Sequence, residues 1–194
     1  MRDAENIREV ESLSIDMMGF IFWPKSSRYV SERPSYLPAK CKRVGVFVDA
    51  DLEEVKQKTE EYALDYIQLH GSESPEYVRQ LNVQSSIIKA FNIATAADFE
   101  QAKPYEGIVD YFLFDTKGKS VGGNGEKFDW TVLSAYNGET PFLLSGGIGP
   151  DDAERVKAIH HAKYIGIDLN SKFEDEPALK DIKKLKSFLE KVKK

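Results

Sequence analysis

The sequence predicts an α/β fold, a (β/α)8 TIM barrel that lacks its first strand, and three observations lead to this fold class. Short, almost continuously apolar runs recur along the chain, as in parallel strands that are covered on both faces. Polar stretches with apolar residues at helical spacing separate these runs. The chain opens on a helical pattern that no apolar run precedes, so one added strand would complete the eight βα units of a closed barrel.

The elements alternate strictly from one end of the chain to the other. Ile7, Val10 and Leu13 share one face of the opening helix. The seven runs that predict strands are 17–22, 43–48, 66–70, 87–91, 111–115, 142–145 and 164–169. The patterns that predict the helices between and after them are 51–63, 75–81, 95–103, 129–135, 151–159 and 179–192. Two prolines, Pro34 and Pro38, argue against a helix over residues 31–40.

Strand–helix alternation is also compatible with an open, doubly wound sheet, and the strand count helps to separate the two. Seven strands plus one make a barrel, and the 194 residues agree with the ~200 or more that such barrels need. No linker, low-complexity tract or shift in composition divides the chain. We therefore expect one barrel domain over residues 1–194.

Composition excludes several classes of partner. A net charge of −5, from 27 basic and 32 acidic residues, argues against nucleic acid. The lysines of residues 180–194 fit the solvated face of an amphipathic helix. Cys41 is the single cysteine, which excludes an intrachain disulfide and favours a reducing compartment. No apolar run approaches the ~20 residues of a membrane span, and residues 1–6 are polar. We expect a cytoplasmic protein with no membrane partner.

The active site of such a barrel lies at the carboxyl ends of its strands, so the residues that follow each run are the candidates. Asp115 ends the run 111–115, where apolar walls favour the protonated form that a general acid needs. A helix cap or loop anchor is the alternative. Arg28 follows the first run and could hold a carboxylate with two hydrogen bonds, or it could be a solvated loop arginine.

Turns at the same end could bind a phosphate. Gly146 and Gly147 lie between a strand and a predicted helix, so their N–H groups and the helix dipole could face an anion, although a plain tight turn explains them equally well. The glycine-rich stretch 122–125 lacks the motifs of a nucleotide site and fits an active-site loop. His70 closes a strand, and we interpret it as a packed, hydrogen-bonded residue that lines the barrel mouth. No cluster has metal-ligand spacing, and Cys41 precedes a strand, at the wrong end for chemistry.

Taken together, nine stretches resemble the phosphoribosylanthranilate isomerase family of tryptophan biosynthesis. They are 18–29 (MGFIFWPKSSRY), 44–48 (VGVFV), 67–71 (IQLHG), 114–115 (FD), 122–125 (GGNG), 128–130 (FDW), 144–148 (LSGGI), 168–171 (DLNS) and 180–181 (KD). They follow the family's order over nearly the whole chain. No single stretch is specific, but the set is.

The resemblance implies an isomerase that converts N-(5′-phosphoribosyl)anthranilate to 1-(2-carboxyphenylamino)-1-deoxyribulose 5-phosphate by an Amadori rearrangement. It implies a small phosphosugar substrate and no metal or cofactor. Asp115 would protonate the ribose ring oxygen, and Arg28 would hold the anthranilate carboxylate. The phosphate would lie against two turns, formed by Gly146 with Gly147 and by Asn170 with Ser171.

The chain departs from the family at its amino end. The family opens with a strand that ends in K-(I/V)-C-G, whose cysteine is the general base, and Met1 aligns with the residue after that C-G pair. The resemblance therefore implies a start at an internal methionine, impaired activity and an open barrel edge that could recruit a second copy. Ser27 replaces a usual proline, and Ala178 a usual glycine. Two other hypotheses stay open: another phosphosugar barrel enzyme, and a non-catalytic phosphosugar-binding barrel.

Overall fold

Seven parallel strands form a single sheet, bent into an open barrel, in a computed structural model that describes residues 1–116 and 129–193. Each strand pairs with the next one along the chain, and β1 and β7 are the edge strands. The strands are β1 Met17–Ile21, β2 Lys42–Phe47, β3 Tyr66–Leu69, β4 Ser86–Asn92, β5 Tyr111–Asp115, β6 Phe142–Ser145 and β7 Tyr164–Ile167. The predicted fold class is confirmed. The glycine-rich stretch 122–125 lies outside the described residues.

Helices follow most strands and differ from the predicted ones in type and length. The α-helices are α1 Ala4–Glu11, α2 Leu52–Tyr62, α3 Pro75–Leu81, α4 Ala153–Lys157 and α5 Ile182–Val192. Three further segments, Ala96–Tyr105, Trp130–Ala135 and Ser171–Phe173, are 3-10 helices. Pro104 lies near the end of the first of these, where its missing N–H removes one helical hydrogen bond. The described residues 31–40 form no helix, as the prolines predict.

The last helix begins later than its apolar pattern predicts. Asp181 caps α5 by accepting a hydrogen bond from the backbone N–H of Lys184 at 3.0 Å. The two residues before it form a short strand, β9 Leu179–Lys180, which pairs antiparallel with β8 Glu174–Glu176. This hairpin follows β7, and its Glu174 and Lys180 belong to the site described below.

The two faces of the sheet pack into separate cores, and this alternation decides which side chains point into the barrel. Phe112 and Phe114 are buried in the large core, which includes the helices. Leu113 packs with Val44, Ile88 and Ala90 in a smaller cluster inside the barrel. Because side chains alternate along a strand, Asp115 shares the inner face with Leu113.

The edge of β1 that faces away from β2 is partly covered by residues near it. The N–H of Val30 donates to the carbonyl oxygen of Ile21 at 2.9 Å, next to an isolated bridge between Ile21 and Tyr29. The nitrogen of Met1 lies 2.7 Å from the carbonyl oxygen of Gly19. On the opposite edge strand Ile165 is 49% exposed. The expected open edge is thus present, although β1 is less bare than predicted. Through the described ranges, every helix is too short or too polar to span a membrane.

Candidate active site

The carboxylate of Asp115 lies at the barrel mouth, at the carboxyl end of β5. Its side chain is 11% exposed. Its Oδ1 is buried and lies close to Gly146: a Cβ built on that glycine would be 2.5 Å from Oδ1. Oδ2 lies 3.6 Å from Nε2 of His70. Asp115 is therefore a mostly buried carboxylate with one oxygen packed against the turn after β6 and the other beside an imidazole.

His70 follows β3 and is positioned by the strand itself. Gln68, two residues earlier, shares its face, and its Nε2 lies 2.9 Å from Nδ1 of the imidazole. Gln68 is buried, and the His70 side chain is 27% exposed. The histidine is hydrogen-bonded and lies beside the candidate acid, which agrees with our interpretation from the sequence.

The glycine pair after β6 has the backbone conformation that only glycine adopts readily. Gly146 has φ of 93° and Gly147 has φ of 67°. Their N–H groups donate to none of the described residues, and Gly147 is exposed. Successive backbone N–H groups in a turn of this kind can bind an anion. The helix expected after this turn is present but shorter than predicted: α4 begins at Ala153 and has five residues.

We expect the substitution Gly146→Ala to destabilise the fold more than Gly107→Ala, a control with similar backbone geometry. Both glycines have positive φ, which costs an alanine about 1–2 kcal/mol. A Cβ at Gly146 would also lie 2.5 Å from the carbonyl oxygen of Thr116, whereas none of the described atoms is within 4 Å of one at Gly107. Overpacking should add about 1–3 kcal/mol at Gly146 alone. Urea unfolding measures the stability of both variants. Equal losses of stability would contradict the close approach of Gly146 to Thr116.

Arg28 is held by a buried carboxylate that the sequence did not indicate. Its Nε lies 2.9 Å and its Nη2 2.5 Å from Oε2 of Glu174, whose side chain is 4% exposed. The hydrogen bond raises the pKa of Arg28. Burial acts to raise the pKa of Glu174, but Arg28 and Lys180 together hold it below its ordinary value. Among the described residues nothing accepts a hydrogen bond from Nη1 of Arg28.

Lys180 extends this ion pair to the turn after β7. Its Nζ lies 3.2 Å from Oε1 of Glu174 and 2.9 Å from Oδ1 of Asn170. Burial lowers the pKa of Lys180, and Glu174 opposes the shift. A network from Arg28 through Glu174 and Lys180 to Asn170 therefore places a mostly buried cation beside the turn that also contains Ser171.

The turns after β6 and β7 are neighbours. The Oγ of Ser145 donates to Oδ2 of Asp168 at 3.1 Å, and a Cβ on Gly149 would lie 4.0 Å from Lys172. The structure thus brings Asp115, Arg28, both glycines, Asn170 and Ser171 to one end of the barrel. Cys41 lies at the other end, before β2, where burial first and Glu11 second raise the pKa of its thiol to about 11. In the parts of the chain that the structure describes, no three His, Cys, Asp or Glu side chains could hold a metal ion.

A second buried ion pair, also missed from the sequence, anchors the loops around His70. Lys89 and Glu73 lie 3.2 Å apart with side chains 2% and 1% exposed. Lys89 also donates to the carbonyl oxygen of Gly71 at 2.8 Å, and Glu73 accepts from the N–H groups of Gly71 and Asp49. Burial lowers the pKa of Lys89, and Glu73 opposes the shift. The sequence contained one signal for this ion pair, namely that the charged Lys89 lies inside the apolar run 87–91.

We expect Glu73→Ala to destabilise the protein by about 3–5 kcal/mol, because it leaves a buried ammonium without its carboxylate. The control is Glu53→Ala on α2, which removes the partner of Lys56 at a side chain that is 86% exposed. Exposed pairs of this kind contribute little, so the control should unfold at the same urea concentration. Equal stability of the two variants would show that the buried pair contributes nothing.

Comparison with known proteins points to one enzyme family. A model of the N-(5'phosphoribosyl)anthranilate (PRA) isomerase family matches residues 1–191. The N-(5'-phosphoribosyl)anthranilate isomerase of Parabacteroides distasonis is 52% identical over 99% of this chain and 90% of its own. The phosphoribosyl anthranilate isomerase of Thermotoga maritima is 31% identical, with a TM-score of 0.82 over 100% of this chain and 95% of that one.

A further solved isomerase contains a ligand, reduced 1-(o-carboxyphenylamino)-1-deoxyribulose 5-phosphate. It is 28% identical, with a TM-score of 0.79 over 100% of this chain and 98% of that chain. The family match, the curated relative and the shared fold each cover almost the whole sequence. The chain described here belongs to the N-(5'-phosphoribosyl)anthranilate isomerase family.

Proposed function

We propose that the barrel mouth of this chain binds N-(5′-phosphoribosyl)anthranilate and is built for its Amadori rearrangement to 1-(2-carboxyphenylamino)-1-deoxyribulose 5-phosphate. The observation that carries the proposal is the juxtaposition of three different groups at one end of the barrel. They are a mostly buried carboxylate, Asp115, an anchored guanidinium, Arg28, and an anion site at Gly146 and Gly147. The substrate offers the three matching groups: a ring oxygen that accepts a proton, a carboxylate and a phosphate.

The phosphate is assigned to the turns after β6 and β7. The exposed N–H of Gly147 and its neighbour at Gly146 point to no described protein acceptor, so they remain for a ligand oxygen. Asn170 and Ser171 supply the facing turn. Lys180, held at Asn170, adds positive charge beside it.

The anthranilate carboxylate is assigned to Arg28. Glu174 occupies Nε and Nη2 and so fixes the plane of the guanidinium, while Nη1 makes no hydrogen bond within residues 1–116 and 129–193. The substrate carboxylate can therefore bind at Nη1 without displacing Glu174. Prior orientation of the guanidinium lowers the entropic cost of that contact.

Asp115 is assigned the role of general acid. Its proton passes to the ribose ring oxygen as the bond between that oxygen and C1 breaks, and the anthranilate nitrogen supplies the electron pair for a C1=N bond. Loss of the proton from C2 then gives the enolamine, which tautomerises to the ketose. The second step needs a base at C2. Cys41 cannot serve, because it lies at the opposite end of the barrel, and we assign no other residue of this chain to that role.

The proposal predicts that residues 1–194 bind the reduced 1-(o-carboxyphenylamino)-1-deoxyribulose 5-phosphate and that Arg28→Ala weakens binding. A charge-assisted hydrogen bond contributes about 1.5–3 kcal/mol, so the Kd should rise roughly 10-fold to 150-fold. Isothermal titration calorimetry measures it. Arg33→Ala is the matched control, since Arg33 lies on the same loop, is exposed and donates to the carbonyl oxygen of Glu61. No binding by the unmodified chain, or equal losses in both variants, would overturn the assignment.

A further inference from the structure

We infer that His70 is a positioning residue for the acid: Gln68 selects the imidazole tautomer that carries its proton on Nε2, and this N–H faces Oδ2 of Asp115. The inference rests on the proposed role of Asp115 as general acid and assigns two further residues, Gln68 and His70, to the acid step. Both follow from the strand alternation that places Gln68, within β3, and His70, just after it, on the inner face.

The tautomer follows from the hydrogen bond between the two side chains. The amide Nε2 of Gln68 can only donate, so at 2.9 Å it requires an acceptor at Nδ1 of His70. In a neutral imidazole one nitrogen accepts and the other carries the proton, which leaves the proton on Nε2. Gln68 is buried inside the barrel, so its orientation is constrained by packing.

The proton on Nε2 faces Oδ2, the oxygen of Asp115 that does not lie against Gly146. Oδ1 is buried toward Gly146, whereas Oδ2 lies 3.6 Å from Nε2 of His70. That separation is longer than a hydrogen bond, as is common for catalytic contacts that shorten when a ligand is bound. We therefore assign the proton transfer to Oδ2, the oxygen beside the imidazole N–H.

The chemistry gives this neighbour a role in the acid step. When Asp115 transfers its proton to the ring oxygen, negative charge develops on the carboxylate. A hydrogen bond from the Nε2–H of His70 to that charged oxygen is about twice as strong as one to the neutral acid. His70 thus stabilises the product of the transfer more than its starting state, and it neither gains nor loses a proton.

Nitrogen-15 NMR of the chain as it stands tests the inference without needing turnover. The protein has three histidines, and long-range ¹H–¹⁵N correlation at about pH 8, where imidazole is neutral, shows which nitrogen of each is protonated. We expect a protonated Nε2 and an unprotonated Nδ1 for His70. The substitution Gln68→Leu should convert His70 to a mixture of tautomers, and Asp115→Asn should shift its Nε2–H resonance.

His161 is the internal control in every spectrum. Its tautomer is set elsewhere, by the N–H of Lys163 at Nδ1 and the carbonyl oxygen of Tyr136 near Nε2, so neither substitution should change it. The reduced product analogue should shift the His70 Nε2–H resonance further. If the analogue binds but His70 is a tautomer mixture, or is unaffected by Asp115→Asn, the inference is overturned and the proposed function survives. If the analogue does not bind, the proposed function itself fails.

Discussion

A protein consisting of residues 1–194 is expected to turn over N-(5′-phosphoribosyl)anthranilate at a rate near the uncatalysed background. The rearrangement needs an acid at the ring oxygen and a base at C2; within residues 1–116 and 129–193 we assign Asp115 to the first role and no side chain to the second. General base catalysis typically contributes ~10²–10⁴-fold. The open edge between β1 and β7 also leaves one wall of the barrel unsupported, and a positioning error near 1 Å can cost ~10²-fold.

Addition of a strand ending in Cys-Gly before Met1 is the measurement that checks this expectation. The extended protein should gain ~10²–10⁴-fold in kcat/KM if the cysteine is the base. The matched control carries the same extension with Ser-Gly in place of Cys-Gly. It should regain the stability of the closed barrel, seen as a higher urea midpoint, without regaining the rate. Full activity of residues 1–194 alone would contradict the expectation and would direct the search for the base to Asp168 or Asp49.

Asp115→Asn in the extended protein is expected to abolish the restored turnover, with a loss of ~10²–10⁴-fold in kcat. Asparagine keeps the shape of the side chain but has no proton acidic enough to open the ribose ring. The Kd of the reduced product analogue should change little, because the phosphate and carboxylate contacts of the proposal involve other residues. Stopped-flow fluorescence for turnover and calorimetry for the analogue separate the two effects.

Asp110→Asn is the control on the same strand. Asp110 precedes β5 at the opposite end of the barrel, where its Oδ2 accepts the N–H of Ile87 at 2.7 Å. A carboxamide oxygen can accept the same hydrogen bond, so this variant should keep full activity. Equal losses in the two variants would show that charge or stability, not an acid at the mouth, explains the effect of Asp115→Asn.

The strand order and the end of the barrel that holds the site could be read from the chain because both depend on local periodicity. Each apolar run becomes a strand within one or two residues of its predicted bounds, and the side chains after these runs meet at one mouth. Alternation along 111–115 suffices to place Asp115 on the inner face. The sequence also indicated that Gly146 lies in a tight turn after a strand. It did not indicate that this glycine lies close to the carboxylate of Asp115.

Helix type and helix ends were less predictable, because weak local signals compete there with tertiary packing. The segment Ala96–Tyr105, where the pattern predicts a helix over 95–103, is a 3-10 helix. Residues 179–180 share the apolar periodicity of α5 but pair with Glu174–Glu176 instead. Ala178, where the family usually has glycine, lies in this hairpin with φ of 71° and is buried. That conformation explains the usual glycine, since it strains any residue with a Cβ.

The sequence by itself determined the fold class, the family and the identity of the acid, the guanidinium and the phosphate turns as candidates. Only the tertiary structure decided how those groups are held. Glu174 lies 146 positions from Arg28, and Lys89 reaches Gly71 from the next strand, 18 positions away. Periodicity reports which face of an element a side chain occupies, but the partner of a buried charge is selected by three-dimensional proximity and by the high cost of leaving that charge unpaired.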